Sequence, residues 1–152
     1  MDQFDLVGAL RTFAESNSWV FLYGDGFMRN YKATKSTIKD GQLILGADPF
    51  IARPTYTQAG KIESITYSGL VMLGTKFDLD DDDKVVSKSS LDETLEQKYD
   101  RRLLVLMNML SINLASFACD HELTISSTQF ELEINKLDEN IDFVVCSITL
   151  VQ

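Results

Sequence analysis

Histidine occurs once in this chain of 152 residues, at His121, and cysteine only twice, at Cys119 and Cys146. So few imidazoles and thiols leave no zinc ligand set and no Cys-x-x-Cys pair, and two thiols this far apart make no disulfide framework. Each cysteine sits in an apolar stretch and reads as a small buried hydrophobe. Proline is nearly absent, with Pro49 and Pro54 close together, so one loop takes up both. Basic residues are also short: 14 Lys and Arg face 23 Asp and Glu, for a net charge of −9. That balance disfavours a protein that grips nucleic acid or an anionic membrane, because phosphate repels it. The longest apolar stretch, Leu103 to Ala118, is broken by Asn108, Ser111, Asn113 and Ser116, and is too short to cross a bilayer. Met1-Asp2-Gln3-Phe4-Asp5 carries acids where a secretion signal has basic residues. The expectation is a cytoplasmic product with no membrane segment.

What is present is an ordinary globular composition, 45% hydrophobic and 24% charged, at the length of a single domain spanning residues 1–152. Phe4, Val7, Leu10, Phe13 and Ala14 fall at helical spacing, with Asp2 placed to cap. Trp19 to Tyr23 reads as a strand, Gly24-Asp25-Gly26 as a turn, and Phe27 to Tyr31 as the returning hairpin strand. Gln42 to Ala47 is a further strand, closed by Asp48-Pro49, and Phe50 to Gly60 reads as a loop. Ile62 to Tyr67 and Leu70 to Phe77 read as two strands meeting at Ser68-Gly69.

A long helix opens at Ser89-Ser90, where Ser90 and Glu93 stand at capping-box spacing. Leu95, Tyr99, Leu103, Leu106, Met107, Leu110, Leu114 and Phe117 make one apolar stripe. Leu104, Val105, Met109 and Ile112 lie off it, so the second half of the helix is apolar almost all round. Either the helix is central in its own domain or one side meets a neighbouring subunit; spacing leaves both open. Thr124 to Gln129, Phe130 to Ile134 and Ile141 to Val151 read as closing strands. The order of elements gives an α+β fold: an antiparallel or mixed sheet with the long helix on one face and a short N-terminal helix.

No residue set commits the chain to chemistry. Cys119-Asp120-His121 are neighbours too close to aim their side chains at one another, so no catalytic residue is assigned. Asp78, Asp80 and Asp82 alternate as calcium ligands do, but Asp83 stands where an EF-hand needs glycine and Ser89 where it needs glutamate. The loop is therefore read as a solvated acidic surface, with no metal and no cofactor. Against it stand Arg29, Lys32, Lys35 and Lys39, in a span free of acids until Asp40. Opposite patches of this kind suit head-to-tail packing, with the basic residues of one subunit on Asp80, Asp81, Asp82 and Asp83 of the next.

The element order carries a resemblance. The N-terminal helix leads to the aromatic strand Trp19 to Tyr23, and Ala47-Asp48-Pro49-Phe50 follows a short strand. Tyr67-Ser-Gly-Leu-Val-Met-Leu-Gly-Thr-Lys-Phe-Asp78 ends in an acidic loop, a helix contains Lys98-Tyr99-Asp100-Arg101-Arg102, and Asn140 to Leu150 closes the chain. This resembles the small tail-terminator and head–tail completion (connector ring) proteins of tailed bacteriophages. The resemblance implies a non-catalytic structural protein of the virion, made in the host cytoplasm and assembled as a ring, usually hexameric. It further implies neighbouring tail or connector proteins as partners, and a channel through which DNA passes without specific binding. Two other readings are a cytoplasmic small-ligand-binding or small enzyme domain, with a pocket lined by Trp19, Tyr23 and Tyr67, and an adaptor that meets a basic partner through Asp78 to Asp83.

Overall fold

The computed structural model describes residues 3–24, 38, 42–76, 103–134 and 141–152. The expected hairpin strand Phe27 to Tyr31, the helix start at Ser90 and Glu93, the basic span from Arg29 to Lys39 and the acidic loop from Asp78 all lie outside these residues.

Helix α1 spans Leu6–Ser16. Its cap is Asp5 rather than Asp2, with the carboxylate accepting from the Gly8 N–H at 3.0 Å. Strands β1 (Val20–Tyr23), β2 (Leu43–Ala47), β3 (Ile51–Tyr56) and β4 (Ile62–Lys76) follow, then helix α2 (Leu104–Asp120), β5 (Thr124–Ile134) and β6 (Ile141–Val151). They form one sheet in the order β1-β2-β4-β6-β5, with β3 also paired to β4. The β1–β2 pair is parallel and all others are antiparallel, so the sheet is mixed. The α+β expectation holds, with both helices packed on the sheet.

Three expected boundaries are corrected. Phe50 to Gly60 is not wholly a loop, because Ile51–Tyr56 pairs with Ile62 to Ser68 of β4. Pro54 is tolerated because β3 is an edge strand, where a missing N–H need not break a ladder. The two strands expected around Ser68-Gly69 are one strand of 15 residues. Gly69 serves there as a site of close approach, since a Cβ on it would lie 2.6 Å from the Phe50 ring. Likewise Thr124 to Ile134 is continuous, with its irregularity between Ile125 and Ser127.

Strands β2 and β3 lie end to end along one edge of β4, because β6 occupies the other edge over Thr66 to Lys76. Asp48-Pro49-Phe50 is the break between them, and the Asp48 N–H still donates to the Leu70 carbonyl at 3.1 Å. Period-two alternation then sorts the side chains. Leu45, Tyr67, Val71, Leu73, Val144, Cys146, Ile148 and Leu150 join the core with Leu6, Leu10, Ala14, Leu106, Leu110, Leu114 and Phe117 of the helices. The opposite face has a smaller cluster at one end, Leu22, Ile38, Ile44, Met72 and Phe143. At its other end that face turns polar, with Ser68 and Thr149 side by side, hydroxyls 3.4 Å apart. Cys146 is fully buried, and burial pushes its thiol from 9.0 up to about 11, partly opposed by a backbone hydrogen bond from Gln129.

Both helices stop the same way. After α1, the Trp19 N–H donates to the Ala14 carbonyl at 2.8 Å and the Ser18 N–H to Glu15 at 3.0 Å. After α2, the Leu123 N–H donates to Ala118 at 2.8 Å and the Glu122 N–H to Cys119 at 3.2 Å. These are Schellman pairs, and the left-handed position they require is held by Ser18 (φ 59) and Glu122 (φ 55) rather than glycine. In each case the residue just beyond, Trp19 or Leu123, joins the core and holds the turn down.

Candidate assembly surface

All eight residues assigned to a subunit contact, Arg29, Lys32, Lys35, Lys39 and Asp80 to Asp83, fall outside the described residues. The other candidates are placed. Tyr23 and Tyr67 line one open depression of about 330 Å³ with Phe4, Phe50 and Ala52. Trp19 does not join them: it packs edge-on to Phe13, ring centroids 5.8 Å apart. The Tyr67 hydroxyl is already engaged, accepting from the Phe4 N–H at 3.1 Å and donating to Gln152 Oε1 at 3.2 Å. It ties the residues before α1 to the end of β6, so it acts as a strut in the fold.

The Cys119-Asp120-His121 tripeptide is divided between surface and interior. Cys119 is exposed, whereas the half-buried His121 ring lies tilted against Phe4 and Phe117, with centroids 5.2 and 4.7 Å away. The imidazole is spent on packing at the helix end. Among the described residues no three His, Cys, Asp or Glu side chains gather to hold a metal ion. Also among them, no helix is long and apolar enough to cross a membrane.

Helix α2 holds the feature that packing does not explain. Leu103, Leu106, Leu110, Leu114, Phe117 and Ala118 are buried and bind the helix to the sheet. The opposite side carries Val105, Asn108, Ser111, Ile112, Ala115, Ser116 and Cys119, all exposed, and the helix closes on exposed Asp120. Val105 is 51% accessible and Ile112 69%. Single exposed aliphatics are normal on protein surfaces. An outward helix face nearly free of charge is less so: from Leu103 to Cys119 there is no Asp, Glu, Lys or Arg, and only the last residue of the helix, Asp120, is charged, in a chain that is 24% charged. Water would be met better by charged residues, which favour helix as much as Ile, Asn and Ser or more. Sequence reasoning marked Val105 and Ile112 as off the core stripe, and the structure puts both on the outside.

No protein-family model matches the chain, and no curated protein matches it.

Proposed function

We propose that this chain is a non-catalytic structural protein of a tailed-bacteriophage virion, of the tail-terminator or head–tail connector type, acting through assembly into a ring. The observation that carries the assembly reading is the outward face of α2, exposed and without charge from Val105 to Cys119. The order of elements, a helix, strands, a long helix and closing strands, supports the family assignment as a resemblance only. In this reading the basic residues Arg29, Lys32, Lys35 and Lys39 meet Asp80 to Asp83 of the next subunit, and the net charge of −9 gives a lumen that lets DNA slide.

Sedimentation velocity of concentrated protein, with negative-stain images of the fastest species, tests this. The expected result is a closed ring at low salt that is weakened by Lys32→Glu with Lys35→Glu. Exposed ion pairs contribute only about 0.2–1 kcal/mol each, so several act together. A chain that stays monomeric at every concentration, alone and beside phage tail proteins, contradicts the proposal. The competing small-ligand reading has one observation on its side, the meeting of Tyr23 and Tyr67 in one depression. The capture of the Tyr67 hydroxyl by Phe4 and Gln152 counts against it.

A further inference from the structure

Among the described residues, strands β3 and β5 each have one side without a partner strand, and the two sides differ. In an antiparallel sheet a residue turns its N–H and C=O toward one neighbouring strand, and the next residue turns them toward the other. Ile65 and Gln152 exchange both bonds, at 3.3 and 3.0 Å, so from Ile65 on the odd-numbered residues of β4 face β6. The even-numbered ones face β2 and β3, in keeping with the bond from the Asp48 N–H to the Leu70 carbonyl. Pro54 stands opposite Ile65. Its nitrogen therefore points away from β4, and the N–H it lacks is one that an incoming strand would need.

Strand β5 carries no such block. By the same alternation the odd-numbered residues of β6 face β5, where Thr149, Ser147 and Val145 pair with Ser127, Gln129 and Glu131. The residues between, Thr128, Phe130 and Leu132, turn their N–H and C=O outward. Thr124–Ile134 contains no Pro, Lys or Arg, the residues that ordinarily close an exposed edge. Its one irregularity, between Ile125 and Ser127, lies to one side of this row. Thr128, Gln129 and Glu131 are exposed, so the described residues leave the row open. Backbone donors and acceptors at this spacing are met in full only by another strand.

We infer that the occupant is β5 of a second copy, laid antiparallel across a two-fold axis at Phe130. The other edges of the chain are poorer mates: β1 has four residues, and the outer row of β3 is broken at Pro54. Strand β5 has eleven residues and an intact row. Reversed about Phe130, it sets Phe130 on Phe130 of the partner subunit and Thr128 against Leu132 of the partner subunit. Every outward residue then meets an outward residue and exchanges two bonds with it. Glu131 falls beside Gln129 of the partner subunit, whose amide donates, and not beside another acid. Phe130 is half-buried against the core, and a second ring beside it on the same face extends that packing. The inference rests on the reading of the chain as self-assembling and adds a contact to it. A two-fold contact joins subunits in pairs, whereas a ring needs a separate, head-to-tail one.

The test uses the full chain. Hydrogen exchange of single amides is followed by NMR across a concentration series, beside sedimentation velocity. The amides of Thr128, Phe130 and Leu132 are expected to exchange fast in the monomer and about tenfold more slowly or beyond in the pair. Those of Gln129 and Glu131 stay slow throughout. Thr128→Pro repeats on β5 what Pro54 does on β3, removing one outward donor and no bond to β6. It is expected to raise the dissociation constant of the pair about tenfold, while Thr128→Ala, which keeps the donor, associates like the parent. Slow exchange of the three amides in the monomer would mean that the chain covers its own edge, and overturns the inference. So do pairs in which these amides stay fast, a Thr128→Pro chain that pairs as tightly as the parent, and a chain that never pairs. Rings in which the three amides stay fast would refute the two-fold contact and leave the ring standing. Pairs with slow amides and no larger species would do the reverse.

Discussion

Helices α1 and α2 lie on the same side of one sheet and end in the same Schellman turn, yet their outward faces differ. On α1 the exposed residues include Arg11 and Glu15, and the Arg11 guanidinium lies over the Phe21 ring at 5.8 Å from its centroid. On α2 the corresponding side offers Val105, Ser111, Ile112 and Ala115 and no charge before the terminal Asp120. The inward faces follow one rule, with Leu6, Leu10 and Ala14 on α1 and Leu106, Leu110, Leu114 and Phe117 on α2 all buried. Folding therefore dictates the inside of both helices and leaves the outside free. α1 fills that freedom with charged side chains, and α2 with mostly uncharged ones.

The contrast can be broken first from the inside. Phe117 is 1% exposed and packs on Phe13 and His121, so Phe117→Ala should destabilise the fold by about 3–5 kcal/mol, read by urea unfolding. A loss under about 1 kcal/mol would mean that α2 is not held by this face. Tyr67→Phe removes the hydroxyl that joins Phe4 to Gln152, and a cost of about 1–2 kcal/mol is expected from the same measurement. Glycine at Ser18 or Glu122 relieves a left-handed φ and should stabilise by about 1 kcal/mol. A loss at either position would show that the side chain contributes more than its strain removes.

The smallest stability effects belong to the outward faces, and there the two helices should part. Arg11→Ala on α1 and Ile112→Asp on α2 should each change monomer stability by no more than about 0.5 kcal/mol. Only Ile112→Asp should change self-association, followed by sedimentation. Equal effects of the two substitutions on association would erase the distinction between the helices.

Much of this arrangement was legible in the sequence. The period of Leu106, Leu110, Leu114 and Phe117 gave the buried side of α2, whereas the off-stripe Val105 and Ile112, which suggested a second buried side, are exposed. The alternation of Val144, Cys146, Ile148 and Leu150 gave the covered face of β6, all four of them buried. What misled were local punctuation marks that tertiary pairing overrides. Pro54 looked like part of a loop but sits in an edge strand, and Gly69 looked like a turn but makes room for Phe50. Of the three aromatics grouped from the sequence, Tyr23 and Tyr67 line one depression and Trp19 does not, because the turn that ends α1 carries Trp19 against Phe13. No sequence period reports which way such a turn sends a side chain.

The chain supplies its own probe for the proposal that the outward face of α2 is a subunit contact. Cys119 is exposed on that face, while Cys146 is buried and serves as the internal silent reference. Alkylation of the native protein near neutral pH, followed residue by residue by mass spectrometry across a concentration series, compares the two thiols directly. The account predicts that Cys119 reacts rapidly when dilute and slows in step with self-association measured by sedimentation, with Cys146 unreactive throughout. Oligomers in which Cys119 keeps its dilute rate would contradict it.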